Sequence, residues 1–167
     1  MLRIQATSPP DGSLIAPDVA RSGSYTDAFR AVVAPPVSLP DFIAAFYATR
    51  LFSAERQILR LAGWTSTPGE IAELADGTRT AFAAWRVAAR RPDEILLADT
   101  TGRTRSWLHA APSEHGTALW FGSVIVPRPG RDSLGPAMRA LIGPHRVYSR
   151  LLLAAAARDL TRQTRPR

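Results

Sequence analysis

The segment that decides the fold is "AFAAWRVAARRPDEILLADTTGRTRSWLHAAPSEHGTALWFGSVIV", residues 81–126. Within it, apolar residues alternate with polar or small ones, which is the two-residue period of a strand with one buried face. The alternating segments cover residues 81–90, 94–99, 103–111 and 117–126. The turns between them are two to five residues long. Because a parallel crossover needs a dozen or more residues, these turns predict a four-stranded antiparallel meander.

The residues before the meander predict a first strand followed by short helices. Residues 25–33 are rich in aromatic and β-branched side chains and precede two prolines. Ser38 can cap a helical pair over about 40–62, with a proline in its first turn. Thr67 to Glu70 spells a capping box that opens a short helix, about 70–75.

The residues after the meander predict a C-terminal helix over about 134–162. Gly143 and Pro144 interrupt its pattern, so we expect a break there, with His145 at the start of the main segment. Residues 1–24 contain several Pro, Gly and Ser and predict an irregular N-terminal arm, while 163–167 form a basic tail. Residues 25–162 are therefore expected to form a single α+β domain, in which helices cover one face of a curved antiparallel sheet.

Composition excludes several classes of function but does not assign one. The net charge is +7, but all 21 basic residues are Arg and they are spread along the chain, so specific nucleic-acid binding is not expected. The absence of cysteine excludes disulfides, zinc–thiolate sites and thiol catalysis. The three histidines lack metal-ligand spacing with a carboxylate and no glycine-rich phosphate loop is present, so no metal and no cofactor are expected.

Hydropathy predicts a chain without a membrane span. The longest apolar run, residues 151–157, is too short to cross a bilayer. The first twenty residues have no apolar core of signal-peptide length. With no cysteine in addition, a cytoplasmic location is the expectation.

Two further stretches, "FIAAFYATRLFSAERQILRLAG" (residues 42–63) and "MRALIGPHRVYSRLLLAAAARDL" (residues 138–160), add a resemblance. Together with the order of elements over 25–162, they resemble the START-like superfamily, the helix-grip fold of the polyketide cyclase and lipid-transport type, and a bacterial family of unknown function in or near it. The resemblance implies a curved sheet that wraps a long C-terminal helix, with a cavity between them that holds an apolar ligand. It maps no set of catalytic residues onto this chain, and fold analogy alone does not establish function.

Aromatic residues are the candidate ligand contacts. Trp85, Trp107 and Trp120 lie on three of the four strands of the meander and would offer indole N–H donors if they face a cavity; packing in the core is the alternative. The full set of candidate ligand-binding residues is Phe46, Tyr47, Trp85, Trp107, Trp120, His145 and Tyr148. His145 is also the candidate catalytic residue, since a side chain that titrates near neutrality suits proton transfer; a structural histidine is the alternative.

For one predicted strand, the sequence does not show which face points to the core. Arg103, Arg105, Trp107 and His109 share one face of the strand over 103–111, and the opposite face is also mixed. If the Arg face lines a cavity, it would bind a carboxylate. If it faces solvent or another chain, it is an ordinary polar surface.

Three hypotheses for function follow. The first is a protein that binds a small apolar or aromatic molecule between the sheet and the last helix. The second is a cyclase- or hydrolase-like enzyme that uses His145 with a polar partner inside the cavity. The third is a protein-interaction module or homodimer without a ligand, which an exposed apolar patch would favour.

Overall fold

The computed structural model describes residues 2–53, 63 and 67–163, and within them the chain forms one curved, fully antiparallel sheet. The strands are β1 (Gln5–Ala6), β2 (Tyr25–Val33), β3 (Ala81–Phe82), β4 (Trp85–Arg90), β5 (Glu94–Asp99), β6 (Thr104–Ser113) and β7 (Gly116–Ile125). Their order across the sheet is β1-β2-β7-β6-β5-β4-β3. The predicted meander is confirmed as its core, and β2 pairs with β7 along all nine of its residues.

Helices lie on one face of this sheet. They are α2 (Leu39–Ala48), α3 (Pro68–Asp76) and α4 (Pro136–Gln163), while a short helix, α1 (Ala16–Val19), precedes β2. Both predicted caps are present, because Ser38 and Thr67 each form a reciprocal capping box with the acidic residue three positions later. The second helix of the pair predicted over about 40–62 lies almost wholly outside the described residues. The α+β fold class, with short helices after β2 and a long C-terminal helix, is confirmed.

Two local predictions are wrong. The segment 81–90 is not one strand, because Ala83 has a φ of +49° and turns the chain between β3 and β4. The C-terminal helix is not broken at Pro144, which lies inside the 28-residue helix α4. A proline removes one backbone hydrogen bond, whereas the buried stripe from Ser149 to Leu160 packs α4 against β2, β7 and α2. Tertiary packing therefore overrides the local rule.

The core lies between the helices and the inner face of the sheet, meaning the face that α4 covers. One row of directly opposed residues on β2, β7, β6 and β5 is apolar throughout. Its members are Phe29, Phe121, Leu108 and Ile95. They belong to the same buried cluster as Leu152 and Leu153 of α4.

The opposite, outer face of the sheet carries a second and smaller core. Residues 2–24 contain β1 and α1, and Ile15 from this segment is fully buried against Leu96, Trp107 and Val124. The N-terminal segment thus covers part of the outer face. Over the described residues, no helix is long and apolar enough to cross a membrane.

Gly116, at the start of β7, allows a test of the β6–β7 hairpin. Its φ is +123°, and an added Cβ would overlap the backbone carbonyl oxygens of Val33 and Ala34. We expect Gly116→Ala to lower the free energy of unfolding by about 3 kcal/mol, from backbone strain together with this overlap. Urea unfolding measures the loss.

Gly130 provides the matched control. It also has a positive φ, +74°, but nothing lies within 4 Å of an added Cβ. Gly130→Ala should cost only about 1–2 kcal/mol, the strain of the left-handed conformation alone. Equal losses for the two variants would contradict the close approach of β7 to the end of β2.

Candidate functional site

The inner face of the sheet is polar at one end. Asp27 on β2 lies directly opposite Ser123 on β7, which lies directly opposite Ser106 on β6. These residues are two positions from the apolar row along each strand, so their side chains point to the same, inner face. In the next row outward, Tyr25 and Thr104 flank Ile125. Five polar side chains therefore lie close together in two adjacent rows at this end of the inner face.

Helix α4 places further polar groups over this end. His145, Tyr148, Ser149 and Leu152 follow at spacings of three and four, so they share one face of the helix. Ser149 is fully buried, and its Oγ lies 3.5 Å from Nε2 of His145. The ring of His145 meets the ring of Tyr25 edge-on, with 6.2 Å between the centroids. An unbroken α4 is what brings these side chains together above the sheet.

Asp27 is the acidic group of this end. The Tyr25 hydroxyl donates a hydrogen bond of 2.8 Å to Oδ2 of Asp27. Burial raises the pKa of Asp27 above its usual 3.8, while the Tyr25 hydrogen bond, the charge of His145 and the nearby Ser123 lower it. The pKa of Tyr25 is also raised, first by burial and then by its hydrogen bond to Asp27. The Tyr25 hydroxyl therefore stays protonated and donates its hydrogen bond to Asp27.

Two buried atoms beside this pair have unused hydrogen-bonding capacity. Oδ1 of Asp27 and Oγ of Ser123 are shielded from solvent, and neither makes a hydrogen bond of good geometry with any described residue. Ser123 is nonetheless close enough to Asp27 to lower its pKa. Because a serine hydroxyl can rotate, a small torsional change would let Ser123 donate to Oδ1.

A cavity of about 170 Å³, partly open to solvent, lies between this part of the sheet, α2 and α4. Its walls are mainly aromatic and aliphatic, with hydroxyl groups and one imidazole among them. The lining residues are Phe46, Tyr47, Phe52, Trp85, Thr104, Ser106, Phe121, His145, Tyr148 and Leu152. An apolar cavity of roughly 150 Å³ holds a benzene molecule in other proteins, so this volume suits a single ring.

The structure brings together five of the seven residues predicted to bind a ligand. Phe46, Tyr47, Trp85, His145 and Tyr148 all line the cavity. Phe46 of α2 also contacts the sheet, since the centroids of the Phe46 and Phe121 rings lie 4.7 Å apart. Predicted residues from both helices and one strand therefore converge on one space.

Trp107 and Trp120 do not line the cavity, and their predicted placement is a correction. Both lie on the outer face, where Trp107 is fully buried and Trp120 partly buried in the second core. The reason is strand parity, since Thr104 and Ser106 of β6 face the cavity and Trp107 must face away.

The Arg-bearing face of β6 is therefore also the outer face, where Arg105 and the buried Glu94 of β5 have structural partners. Trp107 donates from Nε1 to Oε2 of Glu94 at 2.7 Å, and the backbone N–H of Leu14 donates to the same oxygen at 2.9 Å. Arg91 lies 2.7 Å from the other oxygen of Glu94, a side chain that is 3% exposed. Arg105 pairs with Asp18 of α1 at 3.0 Å. These groups hold the N-terminal segment on the sheet. Neither Arg103 nor Arg105 lines the cavity described above, so the structure does not favour the alternative in which this face binds a carboxylate there.

Several residues of the site were missed by the sequence reasoning, chiefly Asp27, Ser106, Ser123 and Phe121. A signal was present in β2, where Tyr25 and Asp27 share the parity of the apolar Phe29. An acidic residue on the buried face of a strand either destabilises the fold or belongs to a functional site. Among the described residues, no group of three or more acids and histidines is placed to hold a metal ion.

Comparison with known proteins gives no assignment. No family model matches the chain, and no curated protein matches it. Among solved structures, it is similar to the crystal structure of a Rhodobacter sphaeroides protein, with 17% identity over 96% of this chain and 97% of that one and a TM-score of 0.44. Function must therefore be argued from the cavity itself.

Replacing Trp107 tests the outer-face network. Trp107→Phe keeps a ring in place but removes the N–H that Glu94 accepts, so the buried carboxylate loses a partner. We expect the free energy of unfolding to fall by about 2 kcal/mol, as for a hydrogen bond to a charged group. Trp120→Phe, on the neighbouring strand of the same face, should cost less than about 1 kcal/mol. A larger loss for Trp120→Phe would contradict this assignment.

The raised pKa of Asp27 predicts a pH dependence of stability. The unfolded chain releases this proton near pH 3.8 and the folded protein only at higher pH. Stability contributed by protonated Asp27 is therefore full below pH 3.8 and is lost as the pH rises to the folded-state pKa. Asp27→Asn removes this contribution.

Unfolding free energies of wild type and Asp27→Asn, measured across acidic and neutral pH, give the test. The wild type should lose stability relative to the variant as the pH rises above 3.8. A difference that stays constant with pH, or that changes in the opposite direction, would show that burial does not hold the proton on Asp27.

Proposed function

We propose that the protein binds a small apolar or aromatic molecule, about one ring in size, in the cavity between the inner face of the sheet and α4. The observation that carries the proposal is the cavity of about 170 Å³ with aromatic and aliphatic walls. Ligand sites in proteins are concave and mostly apolar, with a few polar groups that fix orientation. Ser106 and His145 supply such groups here, and Phe46, Trp85 and Phe121 supply the walls.

The dimensions also limit the ligand. A volume near that of one benzene molecule favours a single ring over a long acyl chain or a fused multi-ring compound. With seven or eight non-hydrogen atoms, such a ligand is expected to bind with a dissociation constant of roughly micromolar to millimolar strength. The proposal is therefore a receptor or carrier for a compact molecule.

A relation to the START-like superfamily stays a proposal, supported by the order of elements and by the position of the cavity under the C-terminal helix. A cytoplasmic location and a homodimer likewise stay predictions. The cavity favours ligand binding over an interaction module, because it lies under the helix where a ligand would be enclosed.

A second candidate is an enzyme that moves a proton. The observation in its favour is that His145 lines the cavity while the charge of His145 is felt by the buried Asp27. Groups with displaced pKa values beside a cavity are typical of acid–base sites. A ligand recovered unchanged after long incubation would support binding alone, whereas conversion by the wild type but not by His145→Gln would support catalysis.

Filling the cavity tests the binding proposal. Leu152 lines the cavity and is 2% exposed, whereas its neighbour Leu151 is 50% exposed. Leu152→Phe should place extra volume in the cavity and weaken binding of toluene at least tenfold, while Leu151→Phe should leave it unchanged. Calorimetric titration measures affinity, and NMR shift changes at Phe46 and Trp85 locate the bound ring.

Two outcomes would contradict the proposal. One is a wild-type protein that binds neither toluene nor phenol at millimolar concentration. The other is equal binding by Leu152→Phe and Leu151→Phe, which would place any binding elsewhere. Native mass spectrometry of protein purified from its own host would then show whether a natural ligand accompanies it.

A further inference from the structure

We propose that Asp27, acting through Ser123 and Ser106, makes the polar end of the cavity a hydrogen-bond acceptor, so that the preferred ligand is a ring carrying a hydrogen-bond donor, such as a phenol. This inference rests on the proposed binding function and specifies its ligand class. Asp27 and Ser123 are positioning residues in it, because neither lines the cavity itself. Of the three residues Asp27, Ser123 and Ser106, which form one row across the sheet, Ser106 is the one that a ligand would contact.

The first step is the geometry of the row. Asp27, Ser123 and Ser106 are direct partners on three adjacent strands, β2, β7 and β6. Directly opposed side chains in an antiparallel sheet have Cβ atoms roughly 4.5–5.5 Å apart, which places their oxygen atoms within or near hydrogen-bonding reach. Ser123 is 1% exposed and lies between the other two. The row therefore leads from a buried carboxyl to the cavity wall.

The second step is the direction of the hydrogen bonds. An ionised carboxylate only accepts, and the Tyr25 hydroxyl already donates to Oδ2 of Asp27. Oδ1 and the Ser123 hydroxyl form no hydrogen bond of good geometry with any described residue, yet Ser123 lies close enough to Asp27 to lower its pKa. The pairing that satisfies both is donation from Ser123 to Oδ1. Each hydroxyl has one hydrogen to give, so Ser123 can then only accept from Ser106.

The third step is the consequence for the ligand. Once Ser106 donates toward Ser123, its remaining capacity on the cavity side is for accepting a hydrogen bond. A phenol satisfies it, whereas toluene has no polar group and anisole has only an acceptor. His145 lines the same cavity and, as a neutral imidazole, can complete the site by donating to the phenol oxygen. A ring with a donor thus satisfies the acceptor that Ser106 presents to the cavity.

The test compares phenol, toluene and anisole by calorimetric titration at pH 8, several units above the usual pKa of 3.8 for an aspartic acid. Wild-type protein should bind phenol about tenfold more tightly than either of the other rings. In Asp27→Asn, the amide can donate as well as accept, so the hydrogen bonds along the row no longer have one fixed direction. The preference for phenol over anisole should then fall below about threefold, with toluene binding unchanged.

Ser106→Ala provides a second variant that keeps the inference testable if Asp27→Asn does not fold. It removes the acceptor itself and should also abolish the preference. Ser113→Ala is the matched control, since Ser113 lies at the far end of β6 and is not part of the cavity wall. This variant should keep the tenfold preference.

The outcomes separate the inference from the proposed function. Equal affinity of the wild type for all three rings would overturn the inference and leave the binding function standing. A preference that survives in Asp27→Asn would overturn the role of Asp27. Weaker binding of all three rings alike in Asp27→Asn would show a merely structural role and also overturn it. No binding of any ring would overturn the binding function and, with it, the inference.

Discussion

Each strand residue must point to one of two faces, and α4 covers only one of them. This constraint governs the rest of the molecule. Along β2, β6 and β7 the inner positions are apolar beneath the second half of α4 and polar beneath its first half. The same helix therefore seals a hydrophobic core at one end and encloses a cavity with a buried acid at the other. Core and site are two parts of one packed interface.

The architecture was largely readable from the sequence because its signals are local. Turn length dictated antiparallel neighbours, and the caps at Ser38 and Thr67 marked helix starts. Strand parity was not readable in β6, where both faces mix polar and apolar residues. The outer face hides Trp107 beneath a segment rich in Pro and Gly, and no periodic pattern indicates that such a segment packs.

The aromatic residues and His145 of the candidate site were predicted, whereas its carboxyl group and its serine hydroxyl groups were missed. Phe46, Tyr47 and Trp85 stand out as large side chains with no charge to satisfy. Asp27, Ser106 and Ser123 become a group only through the pairing of β2 with β7 and of β7 with β6, across a separation of up to about a hundred residues. Local rules also failed at Pro144, where burial of the following turns outweighs one missing backbone hydrogen bond.

The carboxylate of Glu94 has a consequence for how the chain can be shortened. It receives an indole N–H from β6, a backbone N–H from Leu14 and a guanidinium from Arg91. A gene fragment beginning at Tyr25 would encode every residue that lines the cavity, yet it would leave this acid and a large apolar surface facing water. The minimal unit for expression therefore starts well upstream of the first long strand, and fusion partners are better attached where they leave Leu14 and Ile15 undisturbed.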